Sequence, residues 1–319
     1  MPRYSRNSVI LAKTETTYGT DSAPTGGANA MLVSNLSISP LNAQNVNRDL
    51  VRAYFGGSEQ LVGTANVEIS FDIELQSSGT AGAAPAWGTV LRACAFAETV
   101  SAGARVEYLP ITTPLESATI YYHDDGVLHK VLGARGTVDI KLNVGERPVL
   151  SFKLTGLDGG VSAVANATPT YTAFRTPAVV TDANTNDLLV GCAYTTGTLG
   201  TGTAYPTRGI EWMAGNSVQY TPLVGGDTVD LTQREVTGKC MFDLTAAQEV
   251  SFMADVKANT TRAIGIQHGT AAGSVVIVHA PAVQLINPRK EDVDGRRLIG
   301  FDLRAVPSTG NDELRICVR

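Results

Sequence analysis

The feature that most constrains the fold is an unbroken alternation of apolar and polar residues over positions 67–75. Successive side chains of a strand point to opposite faces, so this run predicts a β-strand with two unlike faces. The apolar side chains that would face a core are Val67, Ile69, Phe71, Ile73 and Leu75. The polar side chains that would form a mostly acidic row on the other face are Glu68, Ser70, Asp72 and Glu74.

Similar patterning along the chain predicts a mainly β fold. Charged residues make up only 17% of the chain, and its 32 glycines and 14 prolines favour turns between short strands. Further strands are predicted at residues 118–122, 127–132, 137–144, 149–155, 237–244 and 298–303, and residues 218–223 should lead towards a strand. One short helix is predicted in each half, at residues 85–96 and 245–256, and the second should bury Val250, Met253 and Ala254. The alternating glycines and threonines of residues 197–203 suggest a flexible loop.

The length of 319 residues suggests about two domains. Residues 158–170 are rich in Gly, Ala, Ser and Thr, which places the predicted boundary between domains 1–157 and 158–319. Segments at Pro40, Phe71 and Phe152 have counterparts in the same order at Pro222, Phe242 and Phe301. This order favours a tandem duplication, and chance similarity among β-rich segments is the alternative.

The net charge, the apolar runs and the spacing of the cysteines exclude several classes of partner and of site. The net charge of −5 has the wrong sign for a protein that neutralises many phosphates, so tight binding of nucleic acid is not expected. No apolar run has the length of a signal peptide or of a membrane span. The four cysteines lie far apart without a C-x-x-C pair, so they are predicted to be reduced and mostly buried.

No motif for catalysis or for a cofactor is complete. The chain has no G-x-S-x-G, and its four histidines form no metal-binding spacing, so they are predicted to be strand or hairpin residues. Residues 182–187 begin like a calcium loop but lack the required Gly and the closing Glu, so a surface turn is favoured. The carboxylates of residues 68–74 are better explained as a solvated strand face than as a glycosidase pair. We therefore expect neither a cofactor nor a metal, and no enzymatic activity.

Several segments, taken together and in order, resemble the tail tube proteins, or major tail proteins, of long-tailed bacteriophages. The similar segments are residues 12–25, 29–35, 40–41, 48–52, 133–137, 150–156 and 310–314. No single segment is distinctive, so the specificity of the resemblance comes from many modest matches that extend to the C-terminus. The resemblance implies two tandem β-sandwich or barrel domains of the tail tube type, each with one short flanking α-helix.

The resemblance also implies a hollow tube of stacked rings through which DNA passes without being bound tightly. A wetted lumen requires a polar strand face, and the expected lumen-facing residues are Glu68, Ser70, Asp72, Glu74, Asp139, Lys141 and Asn143. In the second half Lys239, Met241 and Asp243 occupy the corresponding positions, so the acidic character is not uniform there. The second domain would then either line the lumen or decorate the exterior.

A long connection at residues 42–61 is the expected site of contact between rings. Its candidate stacking residues are Arg48, Asp49, Arg52, Tyr54 and Phe55, and a merely flexible surface loop is the alternative. The partners implied are further copies of the chain, together with the tape measure, tail terminator and distal tail proteins. Three chains in a ring with pseudo-six-fold symmetry are favoured over six chains. The implied location is the virion tail of a siphophage, after assembly in the host cytoplasm.

Two other classes of function compete with the tube. A carbohydrate-binding β-sandwich or a virion adhesin would need aromatic platforms, but aromatic residues make up only 6% of the chain. A hydrolase on a β scaffold would need convergent titratable groups, which the sequence does not indicate. The sequence therefore favours a structural protein, with the binding module as its alternative.

Overall fold

The computed structural model describes residues 2–319, which form 21 strands and three helices, so the prediction of a mainly β fold is confirmed. The elements of the first half are β1 (Ser8–Thr14), α1 (Gly26–Asn29), β2 (Ala30–Met31), β3 (Ser34–Asn47), β4 (Gln60–Glu74), α2 (Gly88–Ala93), β5 (Phe96–Ser101), β6 (Arg105–Pro110), β7 (Ala118–Asp124), β8 (Val127–Asn143) and β9 (Val149–Ala163). Those of the second half are β10 (Leu188–Val190), β11 (Ala193–Thr195), β12 (Thr198–Gly200), β13 (Thr203–Tyr205), β14 (Thr207–Met213), β15 (Asn216–Thr221), β16 (Thr228–Arg234), β17 (Thr237–Phe242), α3 (Ala246–Lys257), β18 (Thr261–His268), β19 (Val276–Val293), β20 (Arg296–Ala305) and β21 (Arg315–Val318).

Eight strands from both halves pair side by side in one continuous antiparallel sheet, which we call the long sheet. Its order is β3-β4-β9-β8-β14-β17-β20-β19. Among the described residues its two outermost strands, β3 and β19, do not pair with each other, so the sheet does not close into a barrel within one chain. Of the sandwich or barrel that was expected of each domain, a closed barrel is not formed within one chain.

A second layer of strands packs against the long sheet. In the first half it has the order β2-β1-β7-β8, and in the second half the order β13-β10-β18-β19. Strands β8 and β19 are long enough to belong to both layers. The hairpin β5-β6 of the first half joins the second layer through β21, near the C-terminus. One large apolar core lies between the layers and draws residues from both halves.

The alternation at residues 67–75 produces the predicted burial. All five apolar side chains of that run are buried, while Glu68, Ser70, Asp72 and Glu74 are half-exposed on the opposite face. Both predicted helices exist, as α2 and α3, and Asp125 and Gly126 form the turn of the predicted β7-β8 hairpin, directly after Asp124 at the end of β7. The four histidines lie in strands, and all four cysteines are buried free thiols, as predicted.

Two predicted loops are shorter in the structure than expected, and the predicted domain boundary falls within a strand. Residues 42–47 and 60–61 are paired strand rather than loop, because β3 and β4 continue as a long hairpin, and the connection is reduced to residues 48–59. Residues 197–203 were expected to form a flexible loop, but the β11-β12 hairpin and the start of β13 occupy most of them. Strand β9 runs through the predicted boundary at residues 157 and 158, and the division into domains 1–157 and 158–319 stays a prediction.

The buried face of α3 differs from the predicted one. Thr245 caps the helix with a full capping box, in which its side chain accepts from the backbone N–H of Gln248. The helix buries Phe252, while Val250 and Ala254 are exposed and Met253 is only half-buried. Phe252 packs edge-on against Phe242 and Tyr205, and these aromatic contacts outweigh the smaller apolar surface of Val250.

A buried carboxylate holds the N-terminal segment against the second layer. Glu15 accepts hydrogen bonds from the backbone N–H of Gly19 at 2.8 Å and of Gly133 at 2.7 Å. The hydroxyls of Ser117 and Thr119 also donate to it, at 2.6 and 2.9 Å. Four donors satisfy the charge of Glu15 without a basic partner, so the chain can turn at residues 15–19 while that carboxylate is buried.

Stability should fall as the pH drops below about 6.5, because His279 is buried in the second layer. Burial and the nearby charge of Arg315 lower the pKa of His279 to about 4, against a contact with the Cys192 backbone that acts to raise it. The folded state therefore keeps this ring neutral in a pH range where the unfolded chain binds the proton. The contribution of the neutral His279 ring to the free energy of unfolding is fully present above pH 6.5, and roughly 3 kcal/mol of it is lost by pH 4.

The measurement is the free energy of unfolding from urea titrations at pH 7 and at pH 4.5. His279→Gln should reduce the loss between these two pH values, whereas His129→Gln, on the half-exposed ring of β8, should leave it unchanged. An equal loss in the wild type and in His279→Gln would show that His279 is not the group responsible.

Within residues 2–319, no helix has both the length and the apolar character needed to cross a membrane.

Candidate functional site

The seven residues predicted to face a lumen lie on one face of the long sheet. Strand β9 separates β4 from β8 and keeps them in register, because Asp72 and Asp139 both pair with Ser151. Glu68, Ser70, Asp72 and Glu74 point away from the core on β4, and Asp139, Lys141 and Asn143 point the same way on β8. We call this surface of the long sheet its polar face.

Charges alternate in sign along one row of the polar face, from β8 to β20. This row crosses the sheet through Glu74, the uncharged Val149, Lys141, Glu211, Lys239 and Asp302. Nζ of Lys239 lies 3.1 Å from a carboxylate oxygen of Glu211. Opposite charges on directly paired positions stabilise a sheet, and the alternation leaves the face wetted and without a strong net attraction for anions.

Four carboxylates of this face accept hydrogen bonds from amide or guanidinium groups. The amides of Asn35 and Asn42 donate to Asp72 at 2.7 Å and to Glu68 at 3.1 Å. Arg147 donates to Glu74 at 2.9 Å, and Arg289 donates to Asp302 at 2.8 Å. Because these partners lie in the same layer, the side chains are held along the face rather than gathered into one binding site.

Two carboxyl groups of the polar face have shifted pKa values, in opposite directions. Burial raises the pKa of Asp139; Lys141 opposes this, and the charges of Glu211 and Asp72 add to it. Burial also acts to raise the pKa of Glu211, but the amide of Asn143 and the ammonium of Lys239 outweigh it, so this pKa is lowered. Both shifts follow from partial burial and from the charges and donors beside each group, and Glu211 lines an open depression of this face together with Asn143 and Lys239.

In the second half of the chain the same face is less acidic. Lys239, Met241 and Asp243 occupy the positions on β17 that Ser70, Asp72 and Glu74 occupy on β4. The predicted equivalences of Phe71 with Phe242 and of Phe152 with Phe301 differ from each other by two residues in the ladders. If Phe152 is equated with Phe301, their partners Phe71 and Cys240 become equivalent. A shift of two residues leaves every side chain on its predicted face.

The two halves meet at a strand pair that the sequence did not indicate. Residues 139–143 of β8 pair with residues 209–213 of β14, and we call this pair the in-chain joint. Trp212 and Ile210 on its core side are each only 1% exposed. The side-chain amide of Asn216 donates to the carbonyls of Cys94 at 2.8 Å and Gly136 at 3.0 Å. The joint is therefore a packed part of the core and not a flexible link.

The long sheet ends in two strand edges that have no partner within residues 2–319. Strand β3 pairs only with β4, and residues 286–293 of β19 pair only with β20. An open edge exposes a row of unpaired N–H and C=O groups, which is a template for pairing with another chain. We call these strands the two free edges.

One long exposed loop extends from an end of the long sheet. Strand β4 begins next to residues 48–59, and Arg48, Asp49, Arg52, Tyr54 and Phe55 all lie in this loop and are all exposed. Phe55 and Val51 are fully exposed, and Arg48 forms an ion pair with Glu59. A shorter loop at residues 222–227, at the tip of the separate β15-β16 hairpin, exposes Leu223 and Val224.

The described part of the chain holds no group of three or more His, Cys, Asp or Glu side chains placed to bind a metal ion. Residues 182–187 form a surface turn, as the sequence favoured, and Asn184 uses its amide there to bind the hydroxyl of Thr181 at 3.1 Å. The extended features of the surface are therefore a polar sheet face, two strand edges and an exposed loop end.

Comparison with known proteins supports this description. A search of curated proteins found no match to the chain. A family model described as "Phage tail tube protein" matches residues 5–312, which is nearly the whole sequence and includes both halves of the long sheet. The chain therefore belongs to the phage tail tube protein family, whose members are structural proteins of the virion tail.

Proposed function

We propose that this chain polymerises into stacked rings, and that these rings form the hollow tube through which phage DNA leaves the virion. The observation that carries the proposal is the long sheet, which has a polar face, a core face and two free edges. Closing such sheets edge to edge in a ring removes every open edge and gives a barrel with a wetted interior. The polar face, with the seven lumen candidates, would line that interior.

The charge pattern of the polar face suits conduction of DNA better than retention. Carboxylates alternate with lysines and arginines, and the chain as a whole carries a net charge of −5. Affinity for DNA comes mainly from neutralising phosphates with basic groups, so a mixed and slightly acidic lumen would let the duplex slide. A tape measure protein would occupy the same lumen before ejection, and the tail terminator and distal tail proteins would close the two ends.

We further propose three chains in each ring, with pseudo-six-fold symmetry. The strand order β3-β4-β9-β8 of the first half has the same form as β14-β17-β20-β19 of the second, which supports a tandem duplication with domains 1–157 and 158–319. Both four-stranded units belong to one sheet, so both would line the lumen. Three chains of eight strands would then close a barrel of 24 strands.

The loop at residues 48–59 would contact the neighbouring ring. It extends from the end of the long sheet where β4 begins, and the hairpin turn at residues 144–148 lies at the other end. Rings stacked along the strand direction would therefore bring this loop against the opposite end of the next ring. Assembly would take place in the host cytoplasm and build a non-contractile tail; the chain would have no catalytic role and need no cofactor.

Negative-stain electron microscopy of the purified chain over a concentration series tests this function. Hollow rings and tubes whose end-on class averages contain three chains around a pseudo-six-fold lumen are expected. Rings of six chains would support the tube but contradict the proposal that both halves of the chain line the lumen. A chain that stays monomeric at every concentration, also when mixed with tail initiator components, would contradict the tube and favour a virion binding module.

A further inference from the structure

We propose a specific register for the joint between neighbouring chains of the ring. Residues 289–291 of β19 pair antiparallel with residues 37–39 of β3 in a second copy, so that Glu291 faces Ser37, Lys290 faces Ile38 and Arg289 faces Ser39. The proposal rests on the proposed function, because it names the contact that closes the ring.

The template for this register is the in-chain joint. In the order of the long sheet, β8 is the last strand of the first unit and β14 is the first strand of the second. The corresponding strands at the free edges are β19, the last strand of the second unit, and β3, the first strand of the first. A ring with a regular barrel would therefore repeat the β8–β14 contact as a contact between β19 and β3 of the next chain.

The equivalent residues follow from the ladders of each unit, starting from Phe152 and Phe301. On β8, Asp139 and Lys141 pair with Ser151 and Val149 of β9. On β19, Arg289 and Glu291 pair with Gly300 and Leu298, which occupy the same positions on β20. Arg289 is thus equivalent to Asp139, and Glu291 to Lys141.

The same procedure relates β14 to β3. Glu211 pairs with Lys239 of β17, and Ser37 pairs with Ser70, the equivalent position of β4. Met213 and Ser39 are related in the same way through Thr237 and Glu68. Because Lys141 pairs with Glu211 and Asp139 with Met213 in the in-chain joint, the predicted pairs are Glu291 with Ser37 and Arg289 with Ser39.

The predicted register places every side chain on a compatible face. Ser37 and Ser39 are exposed on the polar side of β3, and the small side chains leave room for the longer Glu291 and Arg289. Ile38, between the serines, packs against the core, and Lys290 points to the same side, where its Nζ lies 3.0 Å from Glu249 of α3. A register shifted by one residue would place these groups on opposite faces.

Burial at equivalent positions indicates that β3 lacks a neighbour. Ile210 and Trp212 are each 1% exposed because β8 and the first half cover them, whereas the equivalent Leu36 and Ile38 are only half-buried. Pro40 takes the position of Ala214, whose N–H donates to Val138 at 2.9 Å across the in-chain joint. Because proline has no N–H, the ladder between chains should end at Ser39.

The β19 edge carries charged side chains at residues 289–292, which could either block pairing altogether or allow pairing with one specific strand. Charges and bulges on an edge strand protect it against indiscriminate pairing. On β3 of a second copy these charges would meet no like charge, because β3 presents serine, isoleucine and serine at the three predicted positions. A second copy of this chain is therefore the partner to which the edge is complementary.

Cysteine crosslinking tests the register with the same four substitutions in two combinations. The predicted pairs are Ser37→Cys with Glu291→Cys, and Ser39→Cys with Arg289→Cys. The exchanged pairs, Ser37→Cys with Arg289→Cys and Ser39→Cys with Glu291→Cys, keep the same face but shift the register by two residues. Lys141→Cys with Glu211→Cys is the positive control within one chain, and the four native thiols are buried and should react little.

Under mild oxidation of assembled rings or tubes, the predicted pairs should form interchain disulfides at least ten times faster than the exchanged pairs. The covalent ladder on a denaturing gel should end at three chains. Faster reaction of the exchanged pairs, or no crosslinks in tubes that form normally while the positive control reacts, would overturn this register but leave the tube intact. Absence of any assembly by the wild-type chain would instead overturn the proposed function, and the joint with it.

Discussion

Phe252→Ala is expected to lower the free energy of unfolding by about 3–4 kcal/mol, as a large-to-small change in a packed core does. Phe252 is 4% exposed, and its ring centroid lies 5.1 Å from that of Tyr205 and 5.4 Å from that of Phe242. Removing the ring leaves a cavity between α3 and the long sheet. The paired strands of the sheet form one wall of this cavity and keep it from collapsing. The measurement is the urea midpoint at pH 7, with the slope of the transition as a check for two-state unfolding.

Val250→Ala is the matched control on the same helix. Val250 is 71% exposed, so its truncation should change the free energy of unfolding by less than about 0.5 kcal/mol. The pair also distinguishes two orientations of α3. A larger loss for Val250→Ala than for Phe252→Ala would mean that the helix presents to the core the face that its apolar spacing indicated.

Replacing residues 48–59 by an Asn-Gly turn should strongly raise the concentration needed to form tubes and preserve the folded chain. Asn47 and Gln60 are the last paired residues of the β3-β4 hairpin, and a two-residue turn can close it there. The loop makes few contacts within the chain, and it exposes Val51, Tyr54 and Phe55. If these side chains are buried between rings, their loss should raise the critical concentration for tubes at least a hundredfold, about 2.7 kcal/mol.

Sedimentation and electron microscopy would measure that concentration, and circular dichroism and the urea midpoint would confirm folding. The control is Val161→Ser with Val179→Ser, which removes exposed apolar side chains outside the loop and should leave the critical concentration unchanged. Normal tubes from the chain without the loop would show that residues 48–59 are an ordinary surface loop, which the sequence left open.

Much of the local structure follows from the sequence. The alternation at residues 67–75 indicated both the strand and its buried face, because a strand has a period of two that neighbours in the chain reveal. Asp124, Asp125 and Gly126 indicated the β7-β8 hairpin, because a tight hairpin turn needs positive φ angles that Gly and Asp tolerate, and Asp125 and Gly126 have them. The seven residues expected on a polar face lie on one face of one sheet, because the same periodicity applies to β4 and β8.

The lengths of β3 and β4 and the buried face of α3 could not be predicted from the sequence. The sequence did not show that β3 and β4 continue to residues 47 and 60, because polar residues such as Asn45 and Asn47 are paired there without covering a core. The predicted buried face of α3 was wrong because helical periodicity considers only where Val250 and Phe252 stand in the sequence and not how large their side chains are. The cluster formed by Phe242, Phe301 and Tyr205 comes from other parts of the chain and selects the aromatic residue.

By itself the sequence determined the class of fold, the two faces of its strands and the family, because these depend on periodicity and on segments that are contiguous in the chain. Only the tertiary structure decided that β8 lies beside β14 and that both halves share one sheet with two free edges. Residues 139–143 and 209–213 are far apart in the chain, and no local pattern records their pairing. That pairing is selected by burying Trp212 and Ile210 in a common core, which exists only after both halves have folded.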